Sequence, residues 1–254
     1  MPVTSRIIEN YETFGRCLAL GNGHVEAYVT IDVGPRVIRL AKPGGPNLFF
    51  QDTQGQLTET GPALRAAFGD DAIYRFYGGH RLWESPEYME TTYTPDNDPV
   101  AVTTTPDGAL FSPPVTGRGL RFSLRLSLSE ADARLTVEHV IENTGDADGD
   151  ADADADGDTP VTLAPWAITQ LAPGGVEIIP QPPTGLWPRD LLPQRVVVPW
   201  TYMDFADPRY RFGTRFITLR QTTDGGSTKA PAKSPCSTAW SMRAISSSRR
   251  PLGA

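Results

Sequence analysis

Cysteine, positive charge and long apolar runs are all scarce in this chain, and each shortage removes a class of protein. Cys17 and Cys236 are the only cysteines in 254 residues. Two are too few for a disulfide framework, and neither has a metal-ligand partner at close spacing. No apolar stretch approaches the roughly 18 residues that a spanning helix requires. The opening MPVTSRIIENYETFG has neither the apolar centre nor the small-residue cleavage site of a secretory signal. A cytoplasmic protein with no membrane partner is therefore expected. Lys and Arg number 23 against 30 Asp and Glu, a formal charge of −7. Nucleic-acid binding depends on clustered cations that neutralise phosphates, so no nucleic-acid partner is expected.

Part of the acidity sits in one segment. DADGDADADADGD at 146–158 carries seven aspartates and nothing large enough to bury. Alternating aspartates suggest calcium, but the DxDxDG order followed by a distal glutamate is absent. A solvated low-complexity loop is the preferred reading, so no metal and no cofactor are assigned.

What the chain does have is strand pattern. HVEAYVTIDVG at 24–34 is rich in β-branched residues, GPR turns the chain, and VIRLAKP continues it, which reads as a hairpin. PGGPN at 43–47 closes that pair, and LFF at 48–50 reads as a short buried strand. TETGPALRAAFG, up to residue 69, is either one short helix or a loop. Between 93 and 115, β-branched runs alternate with Pro-Asp, Asp-Gly and Pro-Pro, the pattern of short strands joined by tight turns. LRFSLRLSLSE at 120–130 alternates apolar and polar residues, so one face is buried and the other wet. In RLTVEHVIENTG at 134–145 the alternation puts His139 beside Leu135, Val137 and Ile141, and a satisfied structural histidine is the preferred reading there. VTLAPWAITQLAPGG at 161–175 resumes the strand pattern, 176–200 is proline-rich with short apolar runs, and RYRFGTRFITLRQ at 209–221 supplies the last strand. Many short strands at turn-punctuated spacing predict an antiparallel all-β sandwich or barrel.

The domain is accordingly read as residues 1–221, one unit, since β-rich domains of this length need not divide. Residues 222–254 contain no Phe, Tyr or Val and abound in Ser, Ala, Pro and basic residues. Such a segment cannot bury enough apolar surface to order itself. A disordered tail is one reading. A shifted reading frame is the other, because a one-base shift within AISSS permits a strand-like run such as Gly-Asp-Leu-Phe-Val.

The densest polar and aromatic cluster is YGGHRLWESPE at 77–87. Concentrated polar groups beside aromatics mark a ligand-facing site more often than packing. The competing reading is a hydrogen-bonded plug of Trp, Arg and His at a sheet corner. On an extended strand His80, Leu82 and Glu84 point one way and Arg81, Trp83 and Ser85 the other. The Gly-Gly pair predicts a bulge or turn that would relax that restriction.

The VGPRVIRL hairpin, YGGHRLWESPE, YTPDNDPV, NTG and LAPWAITQLAPGG together resemble the galactose mutarotase-like superfamily, in particular an uncharacterised bacterial branch with a GGHRLWxxPE motif. The likeness spans about residues 8–220. It implies an antiparallel β-supersandwich, incomplete at the C-terminus, with a concave face that takes sugars. It leaves the activity open, because that fold hosts aldose epimerases, glycoside hydrolases, lyases and binding modules. The epimerase histidine motif is missing from the second half, and the late catalytic glutamate would fall in the serine-rich tail.

Epimerising a hemiacetal requires one group to take the anomeric proton and another to protonate the ring oxygen. His80 is the candidate acid, since an ordinary imidazole titrates near 6.5, and Glu87, or Glu84, is the candidate base. Arg81 would grip a sugar hydroxyl or carboxylate, Trp83 or Trp166 would stack on a pyranose face, and Glu84 and Asn97 complete the substrate contacts. Asp96 and Asn97 are equally read as turn formers, and Arg36 in the hairpin turn and Trp166 are even between pocket wall and packing. The leading expectation is a carbohydrate-active protein with a small-molecule sugar as partner and aldose 1-epimerase-like acid/base chemistry. Its rivals are a non-catalytic carbohydrate-binding domain and an inactive, truncated gene product.

Overall fold

The computed structural model describes residues 2–144, 162–191, 204 and 206–220. The readings of the acidic repeat at 146–158 and of the segment 222–254 concern residues outside that set. In chain order the first strands are β1 (Thr4–Ile8), β2 (Cys17–Gly21), β3 (Glu26–Thr30) and β4 (Val37–Ala41). A short ribbon of β5 (Thr58–Glu59) and β6 (Tyr74–Arg75) brackets helix α1 (Pro62–Phe68). The motif strand β7 (Gly79–Ser85) follows, then the single turn of α2 (Met89–Thr92). Next come β8 (Ala101–Thr105), β9 (Gly108–Ser112), β10 (Leu120–Leu128) and β11 (Leu135–Asn143). The described chain ends with β12 (Ala164–Gln170), β13 (Val176–Pro180), β14 (Tyr210–Phe212) and β15 (Phe216–Arg220).

Two antiparallel sheets carry the architecture, which is all-β, as the turn-punctuated pattern predicts. The larger has the order β1-β2-β3-β4-β7-β12 and the smaller β11-β10-β9-β8. They pack face to face because each strand alternates its side chains. Leu18, Leu20, Ala27, Val29, Val37 and Leu82 from the six-stranded sheet meet Ala109, Phe111, Leu124, Leu126 and Leu128 from the four-stranded one in a single buried cluster. The even-numbered run from Leu120 to Leu128 in β10 is thus the inner face that the sequence alternation predicts, with Arg125 exposed on the other side. β13, β15 and β14 form a separate three-stranded sheet, so the run 209–221 yields two strands rather than one.

The outer face of the six-stranded sheet is buried as well. Leu64 of α1, Tyr74 of β6, Trp83 of β7 and Ile168 of β12 form a second cluster, against which Phe68, Phe76, Met89, Tyr93 and Trp166 pack. The stretch up to residue 69 therefore resolves as a helix, and its Leu64 plugs this layer. β7 consequently has both faces covered. One correction is needed: residues 48–50 are not a strand. Phe49 bridges Leu171 and Gln51 bridges Gly78, but these are isolated bridges, and Leu48 is exposed.

Glycine is required where β7 begins. Gly78 and Gly79 have φ of +103° and +69°, and a Cβ on Gly79 would lie 2.3 Å from the Val37 carbonyl oxygen. The pair lets the chain enter the sheet between β4 and β12 without a side chain in the way. At the opposite end of the sandwich Asn22 ties the two sheets together. Its Nδ2 donates to the Ser129 and Asp132 carbonyls at 2.5 and 2.9 Å, and its Oδ1 accepts from the His24 and Val25 amides. Asn22 is fully buried, while the carbonyl of the exposed Asp132 also accepts from the Arg134 amide.

Replacing Asn22 by Ala removes four hydrogen bonds, one of them to a carbonyl that keeps the Arg134 amide, and should lower stability by about 1–3 kcal/mol, read from urea denaturation. Gly79→Ala meets both a positive φ and a backbone collision, and should lower the urea midpoint further than Asn22→Ala does.

Candidate functional site

β7 sits between β4 and β12 and divides the motif between two environments. Its register pairs His80 with Val37 on one side and with Thr169 on the other, while Trp83 lies opposite Trp166. His80, Leu82 and Glu84 face the four-stranded sheet. Arg81 and Trp83 face the outer aromatic layer. The glycine pair lies at the start of the strand and does not relax this division, so His80 and Arg81 line opposite surfaces.

His80 is held between the sheets. Its Nδ1 lies 2.8 Å from Thr169 Oγ1, and its Nε2 lies 2.7 Å from Nε2 of His139 on β11. A bond between two imidazole nitrogens survives only while one of them lacks a proton. Burial, reinforced by His139, Arg81 and Arg36, pushes His80 down to about 3, and burial takes His139 to about 4. The expectation of an imidazole titrating near neutrality is therefore corrected: desolvation holds both rings neutral. The reading of His139 as a core-facing, satisfied histidine agrees with its place here. Glu87 does not join His80. It is exposed beyond the end of β7 and accepts the Tyr93 hydroxyl at 2.5 Å.

The outer face holds a chain of buried polar and aromatic groups. Tyr74, only 1% exposed, accepts from Trp83 Nε1 at 2.7 Å and from Arg36 Nη2 at 3.5 Å. Arg36 pairs with Asp96 and donates to the Pro35 carbonyl. Burial opposes the charge on Arg36, yet Asp96, with Tyr74 and Tyr77, carries its pKa above the ordinary value. Among the described residues no carboxylate forms an ion pair with Arg81. Its guanidinium lies 4.2 Å from the Trp83 ring centre and donates to the Phe76 carbonyl at 2.9 Å, and burial lowers its pKa. Trp166 packs edge-on against Trp83, 5.6 Å between centres. Asn97 accepts the Tyr77 hydroxyl and donates to the Ile73 carbonyl, so it ties two loops together.

One hollow of about 120 Å³ lies where the inter-sheet space meets α2, the loop at 94–98, the turn at 34–36 and the linker at 113–116. Leu82, Phe122 and Leu124 supply apolar wall, and Arg36, Glu84, Thr91, Asp96 and Asp98 supply polar lining. Of the site residues expected from the sequence, Trp83 and Glu84 line it. His80, Arg81, Glu87, Asn97 and Trp166 do not. Glu84 is buried and takes an ion pair from Arg118 at 2.6 Å through one oxygen. Among the described residues, the buried side-chain atoms with no hydrogen-bond partner are Arg36 Nε, Arg81 Nε, Glu84 Oε2, Thr91 Oγ1 and Asp96 Oδ1. All but the Arg81 atom belong to residues that line this hollow. Thr91 and Arg118 escaped the sequence reading because neither lies in a recognisable pattern. Arg36 and Asp96 carried a signal, each standing in a proline-containing turn.

Among the described residues no cluster of three or more His, Cys, Asp or Glu is placed to hold a metal, and no helix is long and apolar enough to cross a membrane. No protein-family model matches the chain, and comparison with curated proteins and with solved structures likewise yields no match.

The paired histidines set a pH dependence. Their folded pKa values lie below the ordinary 6.5, so the unfolded chain binds more protons and stability rises with pH across that window. The contribution is complete above about 6.5 and is lost as pH falls toward about 4 and then 3. Melting temperature measured from pH 8 to pH 4 should fall progressively below pH 6.5, and His80→Leu with His139→Leu should flatten that fall.

Proposed function

We propose that this chain binds a small polyhydroxylated molecule, a sugar, in the hollow beside Glu84. The observation that carries the reading is the gathering of unpartnered polar atoms on the residues around one cavity. A buried group with no partner costs about 1–3 kcal/mol, and a folded chain keeps several together where a ligand or ordered water completes them. The volume of about 120 Å³ is close to the roughly 150 Å³ that accommodates a six-membered ring in an engineered cavity. Apolar wall with a few convergent polar groups is the usual composition of a small-molecule site. The resemblance of the motifs to the galactose mutarotase-like superfamily supports a sugar over other polyols.

The binding-module reading is preferred to the epimerase reading. An acid/base role needs a group that changes protonation near neutrality within reach of the ligand. His80 is bonded into the sheet interface away from the hollow, and Glu87 is engaged with Tyr93.

Calorimetric titration with monosaccharides tests this. Thr91→Val keeps the side-chain shape and removes only the hydroxyl, so affinity should fall roughly three- to tenfold, the worth of one hydrogen bond. Absence of heat with every monosaccharide would refute the proposal. Anomer exchange followed by NMR should show no acceleration over buffer. An acceleration lost in His80→Asn would restore the acid/base assignment.

A further inference from the structure

The hydrogen-bonding capacity around the hollow is asymmetric. Glu84 Oε2 and Asp96 Oδ1 can only accept, Arg36 Nε can only donate, and the Thr91 hydroxyl can do either. Each of these atoms is itself covered, so a ligand meets them only where their side chains turn toward the hollow; one that completed the set would offer at least two donors and one acceptor. Hydroxyl groups meet that need. A carboxylate brings acceptors alone and would stand against two more carboxylates.

The charges point the same way. Arg118 answers the buried Glu84 and Arg36 answers the half-buried Asp96, so both carboxylates are compensated. Asp98 also lines the hollow, and it is exposed. It appears in none of the ion pairs among the described residues, which leaves the rim with one negative charge in excess. Arg81, the buried guanidinium expected from the sequence to grip a sugar hydroxyl or a carboxylate, faces the other side of the sheet and does not line the hollow.

From these features we infer that the hollow discriminates among sugars by charge: amino sugars bind more tightly than the corresponding neutral sugars, and uronic acids are excluded. The inference rests on the sugar-binding reading above and sharpens it to a substrate class. It sets aside the carboxylate, one of the two groups that Arg81 is expected from the sequence to grip. An ammonium group gains from the rim charge, a neutral hydroxyl neither gains nor loses, and a uronate is opposed both by Asp98 and by the acceptor-only oxygens.

The test is calorimetry of the full chain with glucosamine, glucose and glucuronate, and with galactosamine, galactose and galacturonate, at pH 7 and low salt. At least one series should show the amino sugar binding roughly three- to tenfold more tightly than its parent, the range expected for one carboxylate near the surface. The uronate of that series should give no saturable heat. The amino-sugar advantage should shrink in 0.5 M salt and in Asp98→Asn, a substitution at an exposed position that leaves the buried pairs intact. Equal affinities within a series, or a uronate that binds as well as its parent, would overturn the charge selection while leaving sugar binding in place. No binding in either series would overturn both.

Discussion

Everything in the molecule is arranged around one strand that has no wet side. Gly79–Ser85 lies between β4 and β12, with the inter-sheet core on one face and the aromatic layer on the other. A strand buried twice can carry polar side chains only if each finds a partner inside. Every polar residue of the motif obeys that constraint differently. His80 bonds across the sandwich to His139, Arg81 lies over Trp83, Trp83 donates to Tyr74, and Glu84 takes Arg118. The polar density of the motif is thus largely a consequence of burial on both sides.

That view explains why two opposed readings of the motif, ligand site and structural plug, are each partly right. The first two side chains after the glycine pair, His80 and Arg81, are absorbed by packing and by their own bonds. From Leu82 to Glu84 the strand borders the hollow. Position along β7, more than residue type, separates the structural part of the motif from the part that meets the hollow.

How far the sequence disclosed this depended on the range of each interaction. The β8–β9 hairpin is written in ThrProAspGly, and the β10–β11 hairpin in an unbroken alternation, because both are decided by neighbours. The joining of β4, β7 and β12 is decided by pairing between segments far apart, and no local pattern records it. The histidine pair spans 59 residues. Each partner alone gives a weak signal, so its neutral, bonded state was invisible until both strands were placed. The same holds for the cavity: Thr91 comes from a single helical turn and Arg118 from a loop, and neither belongs to a motif. The short run Leu48–Phe50 failed in the opposite direction, as an apolar triplet whose middle residue alone is buried.

The clasp at Asn22 has a chemical side. It is followed by Gly23, and an asparagine before glycine is the step most prone to cyclise and hydrolyse to aspartate, since the next amide is unhindered. Here the side-chain amide is buried and bonded at both ends, which holds it out of the geometry that ring closure demands. Were the loop to open and the conversion occur, an oxygen would replace the nitrogen that now donates to two carbonyls, and the seam between the sheets could not reseal. The bonds that join the sheets therefore also protect the one residue whose chemical loss would part them.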